Sequence, residues 1–119
     1  MGFQVTVTKK RAGVFYLLPM GSMDIESCPD LEKALTPILV SSTKAIIINM
    51  AGVDYIGSMG IRQIMTTRNK MEEMGGSFFM TNLRPQVRKI FDILHVLPLV
   101  NVFASVDEAE EHLASMGQK

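Results

Sequence analysis

Ser58 is the residue whose type and position offer the most chemistry. It follows an apolar run, Ile46-Ile47-Ile48-Asn49-Met50, and a short loop, Ala51 to Gly57, and it opens an amphipathic stretch of helical spacing. The first N–H groups of a helix have no intrahelical partner, and the aligned peptide dipoles favour negative charge there. A phosphoryl group on Ser58 would arrive where backbone donors can accept it. Serine is also a preferred helix cap, so the residues alone leave two roles open, phosphoacceptor or N-cap. Other chemistries lack their parts. Ser58 has no Gly-x-Ser-x-Gly nucleophile elbow and no base nearby in sequence. The glycines at 52, 57 and 60 lack the Gly-Lys-Ser/Thr of a phosphate loop. His95, His112 and Cys28 have no metal-ligand spacing. Asp24, Asp54, Glu72 and Glu73 could pair only through folding. This inventory reads as a non-enzyme with no catalytic residue, cofactor or metal.

The elements that must position Ser58 belong to one domain. A chain of 119 residues buries a single core, expected here over residues 1–119 with its packed part at about 3–114. Twelve basic and twelve acidic side chains balance, with no basic stripe interleaved with aromatics, which argues against direct nucleic-acid binding. The apolar runs are too short to span a bilayer, and no signal-peptide pattern opens the chain. One cysteine excludes an internal disulfide framework and suits a reducing cytoplasm.

Phe3, Val5 and Val7 alternate as in a strand, Lys9 to Gly13 reads as a polar turn, and Val14 to Met20 as a second strand. Ser27, Pro29 and Asp30 mark a helix start, and Pro37 should kink or end that helix. Lys44 to Met50 has the continuous apolar pattern of a strand covered on both faces. After Ser58, Ile61, Ile64, Met65 and Met71 share a core face, leaving Arg62, Gln63, Thr66, Asn69, Lys70 and Glu73 facing outward or toward a partner. Gly75-Gly76 closes this helix, and Ser77 to Thr81 is a strand. Pro85 opens a helix whose apolar stripe is Val87, Ile90, Phe91 and Leu94. Val100 to Phe103 is strand-like, and Ser105-Val106-Asp107-Glu108 has the form of a capping box opening a last helix through Leu113. An early strand pair followed by alternating strands and helices predicts an α/β domain, a mixed central sheet flanked by about four helices.

The order of these motifs resembles the STAS domain of bacterial anti-sigma factor antagonists. Val53-Asp54-Tyr55-Ile56, then Gly57-Ser58-Met59-Gly60 and Ile61, match the family's strand-to-helix motif. Gly21-Ser22-Met23-Asp24 looks like its turn after the second strand. Gly75-Gly76 and Asn82-Leu83 bracket a strand as in the family, and Val87 to Val96 looks like its third helix, which usually ends near Gly-Leu. The similarity runs from about Val5 to Leu113.

The resemblance implies regulation of transcription by partner switching rather than by touching DNA. The unmodified protein binds an anti-sigma factor that is a serine kinase, phosphorylation of the motif serine breaks the pairing, and a cognate phosphatase restores it. The matching serine is Ser58, with Asp24 as a nearby carboxylate and Gly57, Met59, Arg62, Gln63 and Thr66 as the rest of the partner rim. Four positions depart from the pattern: Gly57 stands for aspartate, Met59 for serine or threonine, Asn49 for an acidic residue, and Arg62 for a small one. Arg62, four residues after Ser58, either reaches a phosphate there or is an exposed arginine or partner contact. A non-switching scaffold subunit in a larger signalling or membrane-associated assembly is the alternative, and a nucleotide or lipid site near Asp24 and Ser58 a third.

Overall fold

Ile46, Ile47 and Ile48 divide the molecule into layers, because successive strand side chains point to opposite faces. In a computed structural model describing residues 2–97 and 100–116, all three are fully buried, Ile46 and Ile48 in one apolar cluster and Ile47 in another. The elements in chain order are β1 (Gln4–Arg11), β2 (Val14–Met23), α1 (Cys28–Leu35), a 3-10 turn (Thr36–Ile38), β3 (Ala45–Asn49), β4 (Gly52–Ile56), α2 (Ser58–Glu73), β5 (Ser77–Thr81), α3 (Pro85–Ile93), β6 (Asn101–Phe103) and α4 (Val106–Ser115).

The six strands form one mixed sheet in the order β1-β2-β3-β5-β6, with β4 joined to β2. Among the described residues β1 and β2 run antiparallel, and the other strand pairs are parallel. The larger core unites Ile46, Ile48 and Met80 with Leu31 and Leu35 of α1, Ile61, Ile64 and Met71 of α2, and Val87 and Phe91 of α3. On the other face Val14, Ile47 and Phe79 meet Ala109 and Leu113 of α4. The α/β class, mixed sheet and four helices agree with the sequence reading.

Three local expectations need correction. The segment from Ala51 to Gly57 is not all loop: Gly52–Ile56 is β4, which pairs with Met20–Met23 beyond the part of β2 that pairs with β3. Accordingly β2 runs through Gly21 and Ser22 to Met23, and the turn begins only at Asp24. The first hairpin is also longer than expected, since β1 reaches Arg11 and the reversal falls at Ala12-Gly13, where Gly13 takes a φ of 80°. Leu94 leaves the apolar stripe, because α3 ends at Ile93; Leu94 is 50% exposed and Ile90 only half-buried. His95, at φ 57°, occupies the left-handed position that glycine commonly takes after a helix, and Val96 N–H donates back to Phe91 O at 3.1 Å.

Pro37 does end α1 as a regular helix, leaving the 3-10 turn. Ser105 Oγ accepts from Glu108 N–H at 3.2 Å as expected of a capping box, while Glu108 Oε1 reaches the N–H of Ala104, one residue earlier than the box requires. The last helix is further pinned to the hairpin. Arg11 donates twice to Glu110, at 3.1 and 2.7 Å, and Tyr16 Oη donates to the same carboxylate.

This three-residue network makes stability pH-dependent at both ends. The Arg11 hydrogen bond holds the Glu110 carboxyl below its usual 4.5, whereas burial and then the Glu110 hydrogen bond push the Tyr16 hydroxyl up to about 12. A lowered carboxyl contributes stability above its unfolded value, lost as pH falls through the folded one. A raised phenol contributes fully below pH 10, and the contribution is lost as pH rises through about 12. Each part is worth about 1 kcal/mol at most, because Arg11 is well exposed to screening. In denaturant titrations across pH, Glu110→Gln should flatten the acid fall and Tyr16→Phe the fall between pH 10 and 12.

Candidate functional site

The site is built around the joint between β2, β4 and α2. Val53 and Ile56 are buried and fix β4 under the helices, and Gly57 N–H donates to Met23 O at 2.8 Å. The chain is thereby stitched to the end of β2 immediately before α2 begins. Ile61 N–H then donates to Gly57 O at 3.0 Å as the first turn closes. Gly60 lets that turn lie against β2, since a Cβ there would stand 2.6 Å from Met23 O.

Gly57, not Ser58, is the N-cap residue. Ser58 is the first helical residue, is exposed, and its hydroxyl has no hydrogen bond among the described residues. The cap reading of Ser58 is therefore corrected: the extended backbone of Gly57 (φ −98°, ψ 179°) places the cap one residue earlier. That backbone suits any residue, and a Cβ at 57 would meet Tyr55 only at an ordinary 3.5 Å. Gly57→Asp should thus fold normally and gain a few tenths of a kcal/mol as a side-chain cap. A thermal melt showing clear destabilisation would contradict this.

The remaining rim residues divide between two hollows. Met59, Arg62, Gln63 and Thr66 of α2 face Cys28, Glu32 and Leu35 of α1 across a groove of about 320 Å³. Gln63, which helical spacing puts outward or toward a partner, is half-buried and donates to Cys28 O at 2.9 Å, tying the two helices together. Thr67, which the sequence reading passed over, is buried and returns its hydroxyl to Gln63 O at 2.8 Å. Asp24 lines a separate, acidic hollow of about 430 Å³ with Ser22, Glu26, Asp30 and Asp54. Its Oδ1 accepts from the N–H groups of Glu26 and Ser27 at 3.0 and 3.1 Å, so the carboxylate first of all builds the turn into α1. Ser22 Oγ donates to Asp54 at 3.1 Å. Ser58 lines neither hollow.

Asn49, at the end of β3, accepts the N–H of Ala51 at 2.9 Å and shapes the step to β4. Apolar side chains stand exposed around the joint: Ile25 at 69%, Tyr55 at 52% and Met59 at 37%. Polar groups with convergent chemistry are scarce. Burial, with Asp24 and Glu32 nearby, pushes the Cys28 thiol up, which opposes the thiolate a nucleophile needs. His112 packs against the rings of Phe79 and Phe103, and Glu72 pairs with Arg68 at 3.0 Å. Among the described residues no group of three or more His, Cys, Asp or Glu could hold a metal ion, and no helix is long and apolar enough to cross a membrane. The arrangement is suited to surface recognition, with an exposed hydroxyl at the start of α2.

A family model described as the STAS domain matches residues 6–109. The anti-sigma-B factor antagonist of Staphylococcus aureus is 24% identical over 82 residues, spanning 69% of this chain and 76% of that protein. Among solved structures, an anti-sigma factor antagonist from Mycobacterium paratuberculosis superposes with a TM-score of 0.84 at 21% identity, covering 95% of each chain. The phosphorylated form of the Bacillus cell fate determinant SpoIIAA gives 0.72 at 16%, covering 92% of this chain and 99% of that one. The two structural likenesses establish the shared fold.

Proposed function

The chain belongs to the STAS domain family, and from that premise we propose that it is a non-enzymatic anti-sigma factor antagonist acting in the cytoplasm. Its unmodified form binds an anti-sigma factor serine kinase and frees a sigma factor. Phosphorylation of Ser58 by that kinase ends the pairing, and a cognate phosphatase restores it. The contact rim comprises Asp24, Gly57, Ser58, Met59, Arg62, Gln63 and Thr66.

One observation carries this reading: Ser58 is exposed at the first position of α2, without a hydrogen-bond partner among the described residues, and near the exposed Met59 and Tyr55. A neutral hydroxyl among apolar side chains fits an interface that a dianion would disrupt. The names of the relatives favour the same class of partner.

A non-switching scaffold subunit is the second reading. It is favoured by Gly57 and Met59, which remove a carboxylate and a hydroxyl from the family motif beside Ser58. Affinity capture of the tagged chain from its native cells separates the two. Recovery of a small serine kinase whose binding is lost with Ser58→Asp is expected. Recovery of a multiprotein complex without such a kinase, still held by Ser58→Asp, would overturn the switching reading.

A further inference from the structure

Ser58 and Arg62 lie one turn apart on the exposed side of α2, at the first and fifth helical positions. Residues four apart on a helix are surface neighbours, and helical side chains lean toward the N-terminus. This spacing puts the turn that bears Ser58 within reach of a guanidinium at position 62. Three other arginines are engaged, Arg11 with Glu110, Arg68 with Glu72, and Arg84 with the carbonyl of Ala51 at 2.7 Å, while Arg88 of α3 is exposed. Among the described residues Arg62 has neither a hydrogen bond nor an ion pair, although Glu32 lines the same groove.

We propose that Arg62 is a built-in counter-ion for phospho-Ser58, pairing with the phosphate on its own helix. The proposal rests on Ser58 being the phosphoacceptor and adds how the modified state is regulated. A guanidinium fork binds phosphate oxygens with two parallel charge-assisted hydrogen bonds. Phosphorylation then does two things to the rim: it adds a dianion, and it draws Arg62, a cation that lines the groove, into an internal pair. Part of the new charge is neutralised within the chain, so the partner meets a weaker repulsion than an unpaired phosphate would present. The switch is softened rather than absolute.

The test needs no kinase and no partner. Phosphoserine is installed at position 58 during synthesis, in the wild type, in Arg62→Gln and in Arg62→Lys, and the phosphate is titrated by phosphorus NMR. An adjacent cation favours the dianion. The second phosphate pKa should therefore lie below its ordinary value of about 6 in the wild type and rise in Arg62→Gln, with Arg62→Lys between. The carboxylates around the joint and groove (Asp24, Glu26, Glu32 and Asp54) are common to all three proteins, so they cancel in the comparison. The Arg62 Nε–H resonance should also shift on phosphorylation and sharpen. Equal titrations in the three proteins, with that resonance unmoved, would overturn the pairing. Because the phosphate is placed chemically, such a result would bear on Arg62 alone, whereas a cellular kinase that ignores Ser58 would count against the switch and leave the pairing standing.

Discussion

Gly60→Ala is expected to destabilise the fold by about 3 kcal/mol, lowering Tm by on the order of 10 °C. The reason lies in what the added methyl meets. Its carbon would stand 2.6 Å from Met23 O and 2.9 Å from Ile56 Cγ1. The first of these is a backbone oxygen that already accepts from Gly57 N–H at 2.8 Å, so it cannot move without breaking the stitch between β2 and α2. Relief would require α2 to lift, which would loosen Ile61 and Ile64 from the main core. Gly76 offers a comparison, because the nearest atom to its Cβ is Met71 Cε at 2.6 Å, the movable end of a flexible side chain. The backbone carbonyls of Lys44 and Thr43 lie farther off, at 3.1 and 3.2 Å. Gly76→Ala should therefore cost less than Gly60→Ala. Thermal melts of the two variants side by side would check the ranking, and a Gly60→Ala protein as stable as wild type would refute the close approach.

The second large effect concerns binding. With the captured partner in hand, phosphoserine at 58 should raise Kd about 100-fold, near 3 kcal/mol. The phosphate brings a charge of about −1.5 to −2 to the start of α2, where the exposed apolar neighbours are the thioether of Met59 and the ring of Tyr55. Burying that charge against a partner costs several kcal/mol unless a cation accompanies it. Arg62 supplies one, so the same modification in Arg62→Gln should cost a further few-fold in Kd. Calorimetry on the four combinations of phosphate and Arg62→Gln measures both terms. Equal affinity for the modified and unmodified wild-type protein would remove Ser58 from the interface.

Much of this was legible in the residues, and the parts that were not have identifiable causes. The strand of consecutive isoleucines, the helix closed by Gly75, the proline that ends α1 and the Ser105 cap each depend on a few adjacent residues, so local pattern suffices for them. Strand β4 escaped because its buried residues, Val53 and Ile56, are three apart. The register of β4 on β2 shifts between Gly21 and Ser22, leaving Asp54 opposite no partner and putting Asp54 and Tyr55 both at the surface. Such a bulge erases the alternation by which a strand is read. Leu94 misled for the opposite reason: helical spacing continued one residue past the place where the helix ended.

What the sequence alone determined is the α/β class, the two-sided central strand, the family resemblance and Ser58 as the residue to watch. These follow from periodicity and from short motifs, which neighbours along the chain specify. Only the tertiary structure decided that Gly57 is the cap and Ser58 the first helical residue, that Gln63 ties α2 to α1, and that Asp24 and Arg62 open onto different hollows. It alone joined Arg11, Tyr16 and Glu110, which are up to 99 positions apart. Such facts rest on contacts between distant segments, and no local pattern records where a helix will meet a strand until the core has brought them together.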